Sequence, residues 1–345
     1  MTRSPQKAKR PAERVAGIDV SAKTLHVTLR TLSGTTTAFE VTNDAAGHAS
    51  LVRSLTDGGK PARVVMEATG IYSLDAALAL TCAKVRVMVA NPRATHDFIS
   101  ATMSRAKTDR LDSMALLEFA ERMEFVLWTP PAAGRVALRS YARRIHDLTI
   151  QHTAEANRLH CALTTATTPK AIVDDIRAGM AALDQRTEAL ITAAAELMMA
   201  DPEIAPAFQH VQSVKGIATK SAIAILGELL VLPADMTSSQ VVAHAGLAPR
   251  PRESGTSVKG RRSISKVGNA RLRGALYMPT LVAVQHCPPL RELYQRHLAR
   301  GKAKMVALVA VSRRLLETLW QMIRTDTDFD PARFAPLRAA VTAPV

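Results

Sequence analysis

Apolar and polar positions alternate with two different periods in the first third of the chain, and each period predicts one kind of element. Short apolar or alternating runs predict strands. These runs are Val15–Val20, Leu25–Arg30, Thr35–Val41, Arg63–Glu67 and Val85–Ala90. Apolar residues spaced by three and four predict helices over 45–55, from a Ser73 cap to Cys82, and over 109–123.

The order of these predicted elements, β-β-β-α-β-α-β-α, is that of a ribonuclease-H topology over residues 15–130. In this topology the first and fourth strands are neighbours at the centre of the sheet. Asn91 and Pro92 are expected to end the fifth strand. We therefore predict an α/β domain that follows a basic tail over residues 1–14.

A longer helical pattern fills residues 131–200. Two segments lie on either side of Thr164–Pro169, and apolar side chains recur in each at steps of three and four. The recurring residues are Leu138, Tyr141, Ile145, Leu148 and His152, and then Ile176, Met180, Leu183, Thr187, Leu190, Ala194 and Leu197. The pattern fits a coiled coil or helical hairpin that could dimerise, and equally an amphipathic helix pair packed on its own domain. A mostly helical domain is expected over 201–325, and a loosely ordered tail over 326–345.

Charge is distributed unevenly along the 345 residues. The net charge is +15, and residues 250–314 hold fifteen lysines and arginines against only Glu253 and Glu292. This concentration of positive charge favours an anionic partner. Nucleic acid is the first candidate, and an acidic membrane surface is the second. Aromatic residues make up only 4%, so phosphate contacts are expected to outweigh base stacking.

Several classes of protein are excluded by what the sequence lacks. Cys82, Cys161 and Cys287 form no C-x-x-C pair, which excludes a sequence-local zinc finger and a disulfide framework. The chain shows no apolar run long enough for a membrane span and no signal-peptide core. We expect a soluble cytoplasmic protein without a membrane partner, associated with the nucleoid of a prokaryote.

Four carboxylates occupy positions where they could share a metal site. Asp19 lies inside the first apolar strand and Glu67 ends the fourth, while Asp109 and Asp112 share one face at the start of a helix. Carboxylates that converge repel one another unless divalent cations bind between them, and oxygen ligands suit Mg²⁺ or Mn²⁺. The structural alternative is that Asp109 only caps its helix and Asp112 is a favourable first-turn charge.

Two segments of the basic domain could contact phosphates. Residues 211–226 resemble a helix-hairpin-helix, although Ala218 replaces the second glycine and a plain helical turn is an equal alternative. Residues 245–273 combine Gly, Pro and Ser with many cations, so a serine hydroxyl there could attack phosphorus. Equally, a Ser-Gly pair in a loop is usually a turn. The candidate phosphate-binding residues are Lys215, Arg250, Arg252, Lys259, Arg261, Arg262, Lys266, Arg271 and Arg273.

Several motifs together resemble the DEDD insertion-sequence transposases, which are bridge-RNA-guided recombinases with a domain similar to Holliday-junction resolvases of the RuvC type. The motifs span about residues 12–325 in order. They are Gly17–Ser21, Met66–Gly70, Lys107–Asp112, Ala245–Pro249, Glu253–Thr256 and Ile264–Asn269 with Leu272 and Arg273.

The resemblance implies a recombinase that binds a structured RNA, pairs donor and target DNA with it, and exchanges strands. The family's four acidic positions then fall on Asp19, Glu67, Asp109 and Asp112, and its nucleophilic serine falls on Ser254, with Ser257 and Ser263 as alternatives. The family's helical segment holds a dimer, which gives residues 131–200 an assembly role in a homodimer or homotetramer.

Two other functions stay open on the sequence alone. One is a metal-dependent junction resolvase or nuclease that uses activated water and forms no covalent intermediate. The other is a non-catalytic scaffold that binds nucleic acid and uses its acids structurally. The three hypotheses differ in what Ser254 and Asp19 do.

Overall fold

The computed structural model describes residues 13–57, 61–68, 70, 72–102, 109–250, 253–254, 258–259 and 263–334. The chain divides into two compact units, Met1–Pro130 and Pro131–Val345, and each is described by itself. The first is a mixed α/β unit built on a sheet, and the second is mainly helical. None of the helices in the described residues is long and apolar enough to cross a membrane.

The first unit is organised around a five-stranded sheet with the order β3-β2-β1-β4-β5. Its strands are β1 (Val15–Val20), β2 (Thr24–Arg30), β3 (Thr36–Thr42), β4 (Arg63–Glu67) and β5 (Arg86–Ala90). The strands β1, β2 and β3 form an antiparallel meander, while β4 and β5 run parallel to β1. The predicted strands are therefore confirmed within one residue at each end, and β1 and β4 are central neighbours as expected.

Four helices accompany the sheet. They are α1 (Ala45–Thr56), α2 (Leu74–Cys82), α3 (Pro92–Thr102) and α4 (Asp109–Arg122). Helix α3 was not predicted, because Pro92 was interpreted only as the end of a strand; proline also suits the first turn of a helix. Ser73 was expected to cap α2, but its backbone is already helical and its side chain makes no capping hydrogen bond. Asp44, by contrast, caps α1 by accepting from the Gly47 amide.

The two faces of the sheet are covered by different helices. Ala16, Ile18 and the other even-numbered residues of β1 and β4 pack with Leu51 of α1 and Leu80 of α2. Val15 and Val65 lie on the opposite face, among the apolar side chains of α4. Side chains alternate across a strand, so every odd-numbered residue of β1 and β4 lies on the α4 side.

The second unit begins with two long helices, α5 (Ala133–Thr164) and α6 (Lys170–Ala200), which pack against each other as a hairpin. The shorter helices that follow are α7 (Ala205–Ser213), α8 (Thr219–Leu229), α9 (Ser238–His244), α10 (Ala270–Ala275), α11 (Tyr277–His286), α12 (Pro288–Ala299) and α13 (Lys304–Thr325). The described residues between α9 and α10 include the two-residue strands β6 (Pro249–Arg250), β7 (Glu253–Ser254), β8 (Val258–Lys259) and β9 (Ser263–Ile264).

One core joins the base of the hairpin to the shorter helices. Leu138 and Ile145 of α5 and Ala194 of α6 are buried in it together with α8 and α13. The distal half of the hairpin packs only partly, and Ile150, Leu163 and Ile172 stay at least half exposed there. The recurring apolar residues thus serve intramolecular packing near the base, which is the second of the two interpretations of their pattern.

The expectation of a loosely ordered tail is wrong for residues 326–334. His210 of α7 bonds to both Asp326 and Asp328, and the Phe329 amide donates to Ser213. A short 3₁₀ helix, Pro331–Phe334, follows. Residues 335–345 and the basic tail over 1–12 lie outside the described residues.

Candidate functional site

Asp19 and Glu67 occupy matching positions on the two central strands. The parallel pairing of β1 with β4 places Ile18 beside Met66, so the next residue on each strand is an acid. Neighbouring strands are about 4.8 Å apart, and residues in register point to the same face. Both carboxylates therefore lie on the α4 side of the sheet, and both residues are half-buried.

Gly17 explains how closely α4 approaches this face. A Cβ at position 17 would collide with the backbone of Ser113 and Leu117, so only glycine lets the helix lie against β1. The hydroxyls of Ser113 and Thr28 meet at 2.8 Å in the same buried layer. This contact fixes the rotation of the helix on the sheet.

Helix α4 runs opposite to β1. Its last turn lies near the start of the strands, where Arg30 bonds to Glu121 and Arg63 donates to the Ala120 carbonyl. Its first turn, which contains Asp109 and Asp112, therefore lies at the end of the sheet where Asp19 and Glu67 are. Asp112 is half-buried, and the side chain of Asp109 lies outside the described residues.

Glu67 is held by a residue that the sequence did not indicate. The hydroxyl of Thr95 in α3, which is buried, lies 2.9 Å from Glu67 Oε2. A hydroxyl donating to a carboxylate restricts its rotamers and leaves the second oxygen available. His26 lies beside this site, because it is the residue of β2 that pairs with Asp19 of β1. Its Nδ1 is 3.3 Å from Glu40 Oε2. No pattern in the sequence pointed to Thr95 or His26.

The four acids supply only oxygen donors, the chemistry that Mg²⁺ and Mn²⁺ prefer. Among the described residues, which do not include the side chain of Asp109, no three histidine, cysteine or acidic side chains are close enough together to hold a metal ion. The arrangement thus brings Asp19 and Glu67 together and directs the first turn of α4 to them.

The candidate nucleophile Ser254 lies in residues 249–264, a segment that we name the serine ribbon because its described residues form short antiparallel strands. Pro249 pairs with Ile264 and Arg250 with Ser263 at one end, while Ser254 pairs with Val258 nearer the other. Arg252, Ser257, Arg261 and Arg262 lie outside the described residues, as do the side chains of Arg250, Ser254 and Lys259. The segment predicted as a loop is therefore partly paired antiparallel strand.

The root of the serine ribbon, residues 244–248 and 265–269, is closed by backbone hydrogen bonds. The amides of Ser265, Lys266 and Asn269 donate to the carbonyls of Ala248, Gly246 and His244, the last at 2.6 Å. Both ends of the ribbon are thereby tied to α9 and α10. The anchoring of this root therefore fixes where the serine ribbon begins and ends.

The root is anchored on a buried carboxylate that the sequence analysis missed. Glu228 of α8 is 3% exposed and receives two hydrogen bonds from Arg143 of α5, at 2.9 and 3.2 Å. Its Oε2 also accepts from Asn269 Nδ2 at 2.8 Å. Burial opposes the charged form, but the hydrogen bonds from Arg143 and Asn269 outweigh it and lower the pKa of Glu228. In the sequence, the feature that indicates this buried charge is an acidic residue within the apolar run of α8.

The predicted phosphate-binding residues of the described part differ in what surrounds them. Lys215 and Lys266 are exposed. Arg271 is exposed but lies 3.8 Å from Asp147. Arg273 is half-buried and donates to the Ala245 carbonyl at 2.8 Å, so its guanidinium already supports the ribbon root.

Segments of both units match models of transposase families. A family model described as a transposase, of the DEDD type of IS110 elements, matches residues 16–168. A second, described as the transposase of the IS116/IS110/IS902 family, matches residues 208–295. Asp19, Glu67, Asp109 and Asp112 fall inside the first matched segment and Ser254 inside the second.

Relatives cover most of the chain at modest identity. The pilin gene-inverting proteins of Moraxella lacunata and Moraxella bovis are each 28% identical over 273 residues, which is 77% of this chain and 81% of theirs. A 43.6 kDa protein of insertion element IS110 from Streptomyces coelicolor is 27% identical over 330 residues, 94% of this chain and 73% of its own. The similarity therefore extends across both units.

Proposed function

The chain belongs to the IS110 family of insertion-sequence transposases, enzymes of DNA recombination, and from that premise we propose that it exchanges strands between donor and target DNA under the direction of a structured RNA. The proposed chemistry combines a carboxylate site for divalent metal with a serine nucleophile. Asp19, Glu67, Asp109 and Asp112 form the first, and Ser254 is the second.

One observation carries the proposal for the acidic site. The β1–β4 register sets Asp19 beside Glu67, and α4 brings its acidic first turn to the same end of the sheet. Like charges are not gathered at one edge without compensation, because each carboxylate raises the cost of ionising the next. The strand order β3-β2-β1-β4-β5 also supports a ribonuclease-H-like, RuvC-like domain.

The residues present fit Mg²⁺ or Mn²⁺, since all four donors are carboxylate oxygens. When bound, such ions would stabilise the negative charge on the attacking and leaving oxygens of a phosphoryl displacement. The protein's own part is positional. Thr95 fixes one oxygen of Glu67, and the Gly17 contact fixes how closely the first turn of α4 approaches the strands.

In the serine step, Ser254 Oγ attacks a phosphodiester phosphorus of DNA. The Oγ–P bond forms as the bond from phosphorus to one neighbouring nucleotide oxygen breaks, and the serine proton passes to that leaving oxygen. Charge that develops on the phosphoryl oxygens is stabilised by the cations of the serine ribbon. These are Arg250, Arg252, Lys259, Arg261 and Arg262.

The helical hairpin α5–α6 is proposed to join protomers in a homodimer or homotetramer. Its distal half exposes Ile150, Leu163 and Ile172, which nothing within the described chain covers. Exposed apolar side chains grouped on one element are typical of protein interfaces. The excess of positive charge over 250–314 supports DNA and RNA as the other partners.

A covalent adduct tests the serine role directly. The full chain is incubated with labelled element-end DNA, divalent metal and its co-purified RNA, then separated under denaturing conditions. Ser254→Ala should abolish the protein–DNA adduct and leave binding intact, whereas Ser257→Ala and Ser263→Ala should retain it. An adduct that survives in Ser254→Ala overturns the assignment of Ser254.

The same assay separates the alternative functions. Nicked products with free ends, unaffected by Ser254→Ala, would identify a resolvase-like nuclease. Strand exchange that is unchanged by Asp19→Asn and Glu67→Gln would refute the metal site. Sequencing of the co-purified nucleic acid tests the guide: one discrete RNA supports it, and a heterogeneous mixture contradicts it.

A further inference from the structure

Four cations meet at the turn between α12 and α13, away from the serine ribbon in sequence. We define this basic corner as Arg296, Arg300, Lys302 and Lys304. It follows directly after the segment matched by the second family model, which ends at residue 295. None of the four was among the phosphate-binding residues expected from the sequence.

The backbone at the corner holds these side chains together. Helix α12 ends in a Schellman motif: the Gly301 amide donates to the Leu298 carbonyl at 2.8 Å, and the Lys302 amide donates to the His297 carbonyl at 3.2 Å. Gly301 has φ +72°, a conformation that glycine adopts without strain. Lys302 is thereby folded back towards the last turn of α12. Arg296 and Arg300 are four residues apart and share one face of that helix.

The four cations have no acidic partner in the part of the chain that the structure describes. Arg300, Lys302 and Lys304 are exposed, and Arg296 is half-buried. Further along α13 the pattern differs, because Arg313 pairs with Glu317 at 2.9 Å. The corner is thus a site of uncompensated positive charge.

Three of these four charges act on His297. Its pKa is lowered first by burial and then by Arg300, Arg296 and Lys302 in turn. Cations that depress the same imidazole repel one another as well. A polyanion lying across them would relieve that repulsion, which is the physical condition for phosphate binding.

The form of the corner favours a duplex over a single strand. Proteins that bind single strands combine a basic groove with aromatic side chains on which bases stack. Tyr294, the aromatic residue of α12, is half-buried, and the first turn of α13 carries Met305 and Val306 instead. Lysine and arginine on a helix turn suit the phosphates of a double helix, which they contact without reading its sequence.

We propose that the basic corner is a contact surface for the phosphate backbone of duplex DNA, held outside the serine ribbon. The proposal rests on the proposed function in that it needs DNA as a partner. It extends that function by adding a second point of attachment, which contributes to binding and takes no part in strand cleavage.

Salt-dependent binding of the full chain tests the corner. Fluorescence anisotropy with a labelled duplex of arbitrary sequence gives the slope of log K against log salt, for wild type and for the double variant Arg300→Gln/Lys302→Gln. Two lost phosphate contacts should make the slope shallower by about 2. The matched control is Arg86→Gln/Arg122→Gln, which removes two exposed cations paired with Glu13 and Glu118 and should leave the slope unchanged.

Each other outcome overturns the proposal. An unchanged slope in the corner variant excludes a phosphate contact there, and an equal loss in the control variant reduces the effect to net charge. If the corner variant makes the slope shallower for a structured RNA probe and not for the duplex, the corner contacts RNA. Failure of the proposed function would be distinct, since DNA would then bind with wild-type salt dependence but form no Ser254 adduct.

Discussion

Asn269 donates its side-chain amide to Glu228 Oε2 at 2.8 Å, and the same carboxylate receives both hydrogen bonds from Arg143. Asn269 also caps α10 by accepting from the Leu272 amide at 3.1 Å. One buried acid therefore connects the long helix α5, the apolar helix α8 and the root of the serine ribbon. This connection ties the hairpin to the root from which the serine ribbon extends.

Glu228→Ala is expected to destabilise the second unit by about 2–3 kcal/mol, because Asn269 loses its acceptor in a buried site and Arg143, which is 31% exposed, loses its partner while water still reaches it. Urea unfolding measures the loss through the fluorescence of Trp320, which is buried in the core of the second unit, in a Trp128→Phe background that removes the other tryptophan of the chain. The control is Glu155→Ala on α5, which removes an exposed pair with Arg158 and should cost no more than about 1 kcal/mol. Equal losses in the two variants would show that Glu228 contributes no more than a surface charge.

Gly17→Ala is expected to destabilise the first unit by about 3 kcal/mol, because the new Cβ meets the backbone of α4 and not a movable side chain. The measurement is the urea midpoint of that unit. Gly179→Ala is the matched control, since nothing lies within 4 Å of a Cβ there and α6 should gain about 0.5–1 kcal/mol in stability. A neutral Gly17→Ala would mean that α4 does not need this close approach.

The strands could be predicted from the sequence because apolar alternation reports which residues face a core. The runs Val15–Val20 and Arg63–Glu67 each place an acid at or next to the last position, so pairing the two strands already brings Asp19 to Glu67. Helix α3 escaped prediction because Pro92 is compatible with two opposite interpretations, an end of a strand or a first helical turn. Because Thr95 lies in α3, its contact with Glu67 could not be predicted either.

The anchor at Glu228 could not be predicted, because its two partners, Arg143 and Asn269, lie far from it and from each other in the chain. An acid inside an apolar helical run signals a buried charge, but the sequence does not say which cation reaches it. The same limit applies to the tail. In the sequence, Asp326 and Asp328 resemble solvated surface charges, whereas in the structure both bond to His210 of α7. Long-range pairing of polar groups carries no local periodicity.

Thr95→Val is expected to lower the strand-exchange rate by about 10–100-fold, because Glu67 loses the hydroxyl that orients it towards the other acids. The change is nearly isosteric, so the urea midpoint of the first unit should fall little. Thr95→Ser restores the hydroxyl and should restore the rate. More Mg²⁺ should be needed to saturate Thr95→Val than wild type; an unchanged rate and Mg²⁺ requirement would show that Thr95 only packs.

His210 is expected to make the attachment of the tail to α7 depend on pH. Burial disfavours its charged form, but hydrogen bonds to Asp328 and Asp326 at 2.7 and 2.9 Å outweigh this and raise its pKa. A group with a raised folded pKa adds stability that is complete below its unfolded pKa of about 6.5 and is lost as pH rises through the folded value. The attachment should therefore be tightest in mild acid.

Hydrogen exchange of the Phe329 amide, which donates to Ser213 Oγ at 2.8 Å, measures this attachment locally. Its protection factor, corrected for the intrinsic pH dependence of exchange, should be higher below about pH 6.5 than above the folded pKa of His210. His210→Gln keeps a hydrogen-bonding group but does not titrate, so its protection factor should be lower and independent of pH. A pH dependence that persists in His210→Gln would assign the effect to another group.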